Sequence, residues 1–203
     1  MTKLMVATTN PNKVREIEQV LSPLGYQVVG LGELARSIPE PVEDADTFEG
    51  NARIKALAYA RALGASCVAE DSGLEVDALA GAPGVHSARY AGVGNTREEK
   101  DRANNDKLLR ALAGVPPEQR GARFVCAICL VDAHGEVLFE TRGTYEGVIA
   151  TAPRGQNGFG YDPLLWLPDV GKTSAELSAS EKNARSHRGK ATRALAEWFA
   201  VRK

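Results

Sequence analysis

Cys67-Val68-Ala69-Glu70-Asp71-Ser72-Gly73 decides how the chain reads. Cys67 to Ala69 predicts a short apolar strand that delivers two adjacent carboxylates, and Ser72-Gly73 then predicts a turn. Strand side chains alternate faces, so Glu70 and Asp71 point opposite ways while the strand lasts. Acids at a strand's carboxyl end lie where open α/β sheets place their ligands. The plainer alternative is that Asp71 only caps the turn through its own backbone.

Upstream, Lys3 to Ala7 predicts a buried strand, followed by Thr8-Thr9-Asn10-Pro11-Asn12-Lys13 and a helix. Val14, Ile17, Leu21 and Leu24 keep helical spacing on one face of it. Strand, polar turn and helix N-terminus together favour an anion through backbone N–H groups and the helix dipole. The glycines of a Walker A loop are missing, and Asn12 as an N-cap beside a solvated Lys13 is the bland reading. Gly25 to Pro41 predicts a second short strand and a Pro-bounded loop. A helix from Asp46 or Thr47 to about Leu63 follows, opened by the capping box Asp46-Thr47-Phe48-Glu49. Asn51 and Lys55 share one face of that helix, and Ala52, Ala56, Ala60 and Leu63 form its packing face.

Downstream, Leu74 to Asp77 alternates like a strand, and Ala80 to Gly84 reads as a loop leading to His86-Ser87-Ala88-Arg89-Tyr90. Thr96 and Glu99 cap a helix that runs to about Leu112 and is polar enough to lie on the surface. Arg123 to Asp132 and Glu136 to Thr144 pair as a hairpin, with His134 a solvated residue at its tip. Gly155-Gln156-Asn157-Gly158-Phe159-Gly160-Tyr161-Asp162-Pro163 is irregular, with glycines around two aromatics, which suits clamping a planar base. Buried aromatics in a plain turn are the alternative. Gly171-Lys172-Thr173 resembles the tail of a Walker A loop, but the earlier glycine would fall at Trp166, so the match fails. Ser178 and Glu181 form a third capping box, and Ser186 can cap a last helix whose Ala191, Leu195 and Trp198 form the core stripe. Lys182, Arg185, His187, Arg188, Lys190 and Arg193 make the densest cationic run, readable as a phosphate-binding patch or as a solvated helix face.

Composition narrows the class. The 203 residues suffice for one domain or two packed lobes, with 43% hydrophobic and 25% charged residues. A net charge of −1 gives no global field for nucleic acid or an anionic membrane, so a polyanion must be held locally. Met1 to Ala7 is too short an apolar run for a signal peptide, and Phe124 to Val131 is far below a membrane span. A cytoplasmic location follows as the expectation. Three cysteines, an odd number, argue against a disulfide framework. Cys126 and Cys129 stand three apart on a strand, on opposite faces, and cannot easily share a zinc ion.

An anion-friendly helix start, an acid at a strand end, an aromatic glycine loop and a basic cluster together describe a nucleoside triphosphate site with a divalent metal. Five collinear blocks spread over nearly the full length carry a closer resemblance. They are Thr8 to Lys13 (TTNPNK), Glu70 to Gly92 (EDSGLEVDALAGAPGVHSARYAG), Gly158 to Pro163 (GFGYDP), Gly171 to Leu177 (GKTSAEL) and Glu181 to Gly189 (EKNARSHRG). The chain resembles the inosine triphosphate pyrophosphatase family, which acts on non-standard purine nucleoside triphosphates.

The resemblance implies an elongated mixed α/β fold with two lobes flanking a central nucleotide-binding cleft, a homodimer, and Mg2+ as cofactor. It implies cleavage between the α- and β-phosphates of ITP, dITP or XTP to give the monophosphate and pyrophosphate. Asp71 is then the catalytic base and a Mg2+ ligand, Thr8, Thr9, Asn10, Pro11, Asn12 and Lys13 hold the phosphates, and Ser72 adjoins Asp71. Phe159, Gly160, Tyr161 and Asp162 with His187 and Arg188 hold the base, and Lys182 holds the substrate between them. No nucleic acid or membrane partner is expected.

One departure stands out. The family carries Glu-Asn-Ala where this chain has Gly50-Asn51-Ala52, so either Glu49 or Glu70 replaces the missing acidic ligand, or Asp71, phosphates and water hold the ion. Two other functions compete. A Maf-like nucleotide pyrophosphatase with a pyrimidine preference is opposed by the His187-Arg188 and Phe159-to-Asp162 blocks. A non-catalytic nucleotide-binding protein that lost its metal is suggested by Gly50.

Overall fold

A computed structural model describes residues 2–34 and 38–202, so the middle of the expected loop before Pro41 lies outside the described residues. In chain order the elements are β1 (Thr2–Val6), α1 (Pro11–Leu21), β2 (Tyr26–Gly30), α2 (Phe48–Leu63), β3 (Cys67–Val76) and α3 (Arg97–Ala111). β4 (Gly121–Val131), β5 (Val137–Ile149), β6 (Leu165–Leu167), β7 (Lys172–Thr173), α4 (Ala179–Arg185) and α5 (His187–Ala200) follow. The seven strands form one sheet in the order β2-β1-β3-β4-β5-β6-β7. β1 runs parallel to β2 and β3, whereas β6 is antiparallel to both β5 and β7. The fold is mixed α/β, as expected.

The chain divides into two compact units. The first comprises Met1–Asp71, Cys126–Gly143 and His187–Lys203. Its core gathers Leu4 and Val6 of β1, Ile17 and Leu21 of α1, Val68 of β3, Ile128 and Leu130 of β4, and Leu195 of α5. The second comprises Ser72–Val125 and Thr144–Ser186. Leu74 and Val76 of β3, Leu108 of α3, Phe124 of β4, Ile149 of β5 and Tyr161, Leu164 and Leu165 form its core.

Three local readings need correction. Ser72-Gly73 does not turn, since β3 continues through it as one ten-residue strand; pairing within a sheet overrides the turn propensity of two residues. Asn10, not Asn12, caps α1, accepting from the Asn12 N–H at 3.1 Å. Thr47 alone caps α2, accepting from the Gly50 N–H at 3.1 Å, so the third helical position is Gly50 and Glu49 has no capping role. α3 lies on the surface, as expected, with only Asn104 and Leu108 buried along it.

Candidate active site

Consecutive residues of β3 meet different partners, as the alternation of a strand requires. Glu70 is 2% exposed and lies 2.5 Å from Lys13 Nζ on α1. Arg188 of α5, 1% exposed, donates to it through Nε at 2.6 Å and Nη2 at 3.3 Å, and also donates to Glu16 of α1. The Cys126 thiol donates to the same carboxylate at 3.1 Å. Burial alone would push Glu70 up, but Arg188 and Lys13 hold its carboxyl well below the usual carboxylate range. Lys13 is therefore no solvated lysine. It stands at the start of α1 with its ammonium fixed by a permanently charged partner.

Asp71 faces α2. Lys55 Nζ donates to Asp71 Oδ1 at 2.9 Å and to Glu43 Oε2 at 2.8 Å. Asn51, one turn earlier on the same helix face, approaches Asp71 Oδ2 with Nδ2 at 3.5 Å and accepts from the Ala45 N–H at 3.0 Å. Burial pushes the Asp71 carboxyl up, against the pull of Lys55. Burial also draws Lys55 down, but Asp71 and Glu43 outweigh it and leave the ammonium above its ordinary value. The result is a buried cation between two carboxylates.

Two carboxylates converging on one cation position match what Mg2+ asks of a protein when phosphate oxygens and water complete its shell. The donor set of Asp71 and Glu43 thus fits the expected ion. Neither alternative from the sequence reading is placed for this. Glu49 is half-exposed and pairs with Arg142 at 3.0 Å, while Glu70 serves Lys13 and Arg188. A Cβ at Gly50 would sit 2.6 Å from Ala45 Cβ, so an acid there would have to displace the segment that carries Glu43.

The aromatic glycine loop belongs to the second unit. The Asp162 carboxylate accepts from the Phe159 N–H at 2.8 Å, the Ser174 hydroxyl at 2.8 Å and Lys182 Nζ at 2.7 Å. Lys182 also lies 4.9 Å from the Phe159 ring centroid, and the Arg97 guanidinium 4.8 Å from it. Gly158 has φ of +78°, and a Cβ on it would run into Asp162 Oδ2, so only glycine fits there. Tyr161 is not an open π surface. It packs in the core of its unit and donates its hydroxyl to the Ser87 carbonyl at 2.8 Å.

The expected site residues thus fall into two groups. Thr8 to Lys13, Asp71, His187 and Arg188 belong to the first unit, and Ser72, Phe159 to Asp162 and Lys182 to the second. The cationic run at the C-terminal end is taken apart in the same way. Lys182 pairs with Asp162, Arg185 with Asp169, and Arg188 with Glu70 and Glu16. The sequence reading missed Glu43, which stands in no motif. A lysine and an asparagine sharing one helix face was the only available signal for an acid nearby.

A seven-stranded mixed sheet with Asp71 midway along β3, a polar turn capping α1 and a glycine-aromatic loop place the chain among the mixed α/β proteins. Residues 4–198 match the Ham1 family, and the chain belongs to it. It is 52% identical over 193 residues to a protein named dITP/XTP pyrophosphatase from Exiguobacterium sp., covering 95% of this chain and 94% of that protein. The Bacillus subtilis protein of the same name is 46% identical, covering 97% and 96%. The solved Ham1 protein of Coxiella burnetii superposes with a TM-score of 0.87 at 38% identity, covering 99% of this chain and all of that one.

Proposed function

We propose that this chain hydrolyses non-standard purine nucleoside triphosphates, ITP, dITP and XTP, to the monophosphate and pyrophosphate. It is an enzyme of the nucleoside triphosphate pyrophosphatase class. The Asp71–Lys55–Glu43 cluster carries the reading, because it sets a general base, a buried cation and a second carboxylate at one point.

A triphosphate carries about four negative charges, so attack at phosphorus needs neutralisation before anything else. The amides at the start of α1 supply the helix dipole, Lys13 stands beside them paired with Glu70, and Lys55 offsets part of the charge of Asp71 and Glu43. Asp71 and Glu43 would hold Mg2+, which when bound withdraws charge from the phosphate oxygens. Asp71 takes the proton of the attacking water at its carboxylate. Thr8, Thr9, Asn10, Pro11 and Asn12 orient the phosphates, and Ser72 adjoins the base.

Phe159 stacks on the purine in this reading, with Gly160 to Asp162 and Lys182 fixing the ring's surroundings and His187 also assigned to the base. Arg188 is engaged with Glu70 and Glu16, so it acts through Glu70 on Lys13. Donors facing the six-position donate to the carbonyl of hypoxanthine or xanthine and are left unpaired by adenine, at about 1–3 kcal/mol each. A homodimer in the cytoplasm completes the proposal, and light scattering tests the dimer.

One assay decides the function: Mg2+-dependent pyrophosphate release from ITP, dITP, XTP, dTTP, ATP and GTP. Turnover of ITP or XTP supports the proposal. Turnover of dTTP alone places the chain with pyrimidine-preferring Maf-like enzymes, and binding without release makes it a non-catalytic nucleotide-binding protein.

A further inference from the structure

Arg97, Asp101 and Asn105 stand four residues apart along α3 and therefore share one face. That face meets the loop carrying Phe159. Asp101 Oδ2 accepts from the Gly160 N–H at 2.8 Å, and Asn105 Nδ2 donates to the Gly160 carbonyl at 3.1 Å. Arg97 Nε lies 3.9 Å from Asp101 Oδ2, and its guanidinium sits 4.8 Å from the Phe159 ring centroid. One helix face thus holds the N–H and the C=O of a single residue and touches the ring beside it.

We propose that Asp101 and Asn105 are positioning residues for base recognition, holding Gly160 in the backbone conformation that aims Phe159. The inference rests on the reading of Phe159 as the base-stacking side chain. Three observations support it. Gly160 has φ of +63°, a conformation with few intrinsic constraints for glycine, so its orientation has to be imposed from outside. Opposed bonds to its N–H and C=O fix that orientation as one bond cannot. A depression of about 290 Å3 beside Phe159 is lined by both α3 and the loop, through Asp101, Asn105, Leu109, Gln156 and Pro163 among others. Asp162 anchors the loop from its other end through the Phe159 N–H. Phe159 is therefore held from both sides by hydrogen bonds to backbone.

The chemistry of the two side chains specifies the test. Asp101→Ala removes the acceptor, and Asn105→Asp, the same shape, sets a carboxylate against the Gly160 carbonyl in place of a donor. Each should raise KM for ITP about five- to tenfold, the worth of one hydrogen bond, with kcat within twofold. Asp101→Asn can still accept from the Gly160 N–H and should recover most of the loss of Asp101→Ala. Kinetics are read at 25 °C on protein whose thermal midpoint lies well above that temperature. Asn105→Ala takes the place of any variant that does not fold. Unchanged KM in a folded variant, a fall in kcat alone, or no recovery in Asp101→Asn overturns the inference. Failure of the wild-type enzyme to release pyrophosphate from ITP or XTP would instead overturn the proposed function, so the two failures are distinct.

Discussion

Lys55 and Asp71 stand 2.9 Å apart, and Glu43 holds the other side of the same ammonium at 2.8 Å. Lys55→Met leaves two carboxylates facing each other with no cation between them. Leaving a buried charge uncompensated costs about 3–5 kcal/mol, less whatever proton uptake by the pair recovers. The variant should therefore melt well below the wild type, and added Mg2+ should raise its midpoint by more than it raises that of the wild type. Thermal melts with and without MgCl2 read this directly. An equal Mg2+ response in both proteins would separate Glu43 from the metal.

Asp71→Asn keeps the shape and loses the base. Turnover of ITP should fall at least a hundredfold, the usual scale of general-base catalysis, while nucleotide binding persists. Pyrophosphate release and a binding titration measure the two quantities, and a fully active variant removes Asp71 from the mechanism.

Glu70→Gln strips the charge that holds both Arg188 and Lys13. Loss of one partner from a buried ion-pair network should lower stability at pH 7 by about 3 kcal/mol. The folded Glu70 is held well below its ordinary value, so its contribution is fully present above the unfolded value and is lost as pH falls towards the folded one. Urea titrations should show a constant gap between wild type and variant at neutral pH, narrowing only in acid. A gap that widens in acid contradicts the ion pairing.

Much of this arrangement was legible in the sequence and some was not. Strand, turn and helix at Thr8 to Lys13, the opposite facing of Glu70 and Asp71, and the shared face of Asn51 and Lys55 follow from periodicity, which is local. The pairing of Arg188 with Glu70 spans 118 positions, and no local pattern reports it. Glu43 was hidden for the same reason, since a loop acid gains its meaning only when Lys55 and Asn51 reach it. The turn expected at Ser72-Gly73 failed because neighbouring strands outvote two residues.

Gly158→Ala tests the glycine loop. Its new Cβ would meet Asp162 Oδ2 and carry a left-handed backbone, so the loop must rearrange. KM for ITP should rise at least tenfold, with stability lowered by about 1–2 kcal/mol. Steady-state kinetics and a urea melt check both numbers.

The three cysteines are free and buried. Burial pushes the Cys67 and Cys129 thiols up to about 12, and burial beside the Glu70 carboxylate also pushes Cys126 well up. Native protein at pH 8 should resist an aromatic disulfide reagent, and three thiols should react at once in denaturant. Fast labelling of the native protein would contradict this burial.

The first unit is assembled from three separated stretches of chain, and Arg188 comes from the last of them. A ribosome working at about 5–20 residues per second delivers Glu70 roughly ten seconds before Arg188. For that interval the nascent polypeptide holds an acid whose final counter-ion has not been made. A product cut short before α5 would therefore lack more than a helix: the buried Glu70 carboxylate would keep Lys13 and the Cys126 thiol but lose its guanidinium partner, and the quality-control machinery would meet it as an unfinished fold.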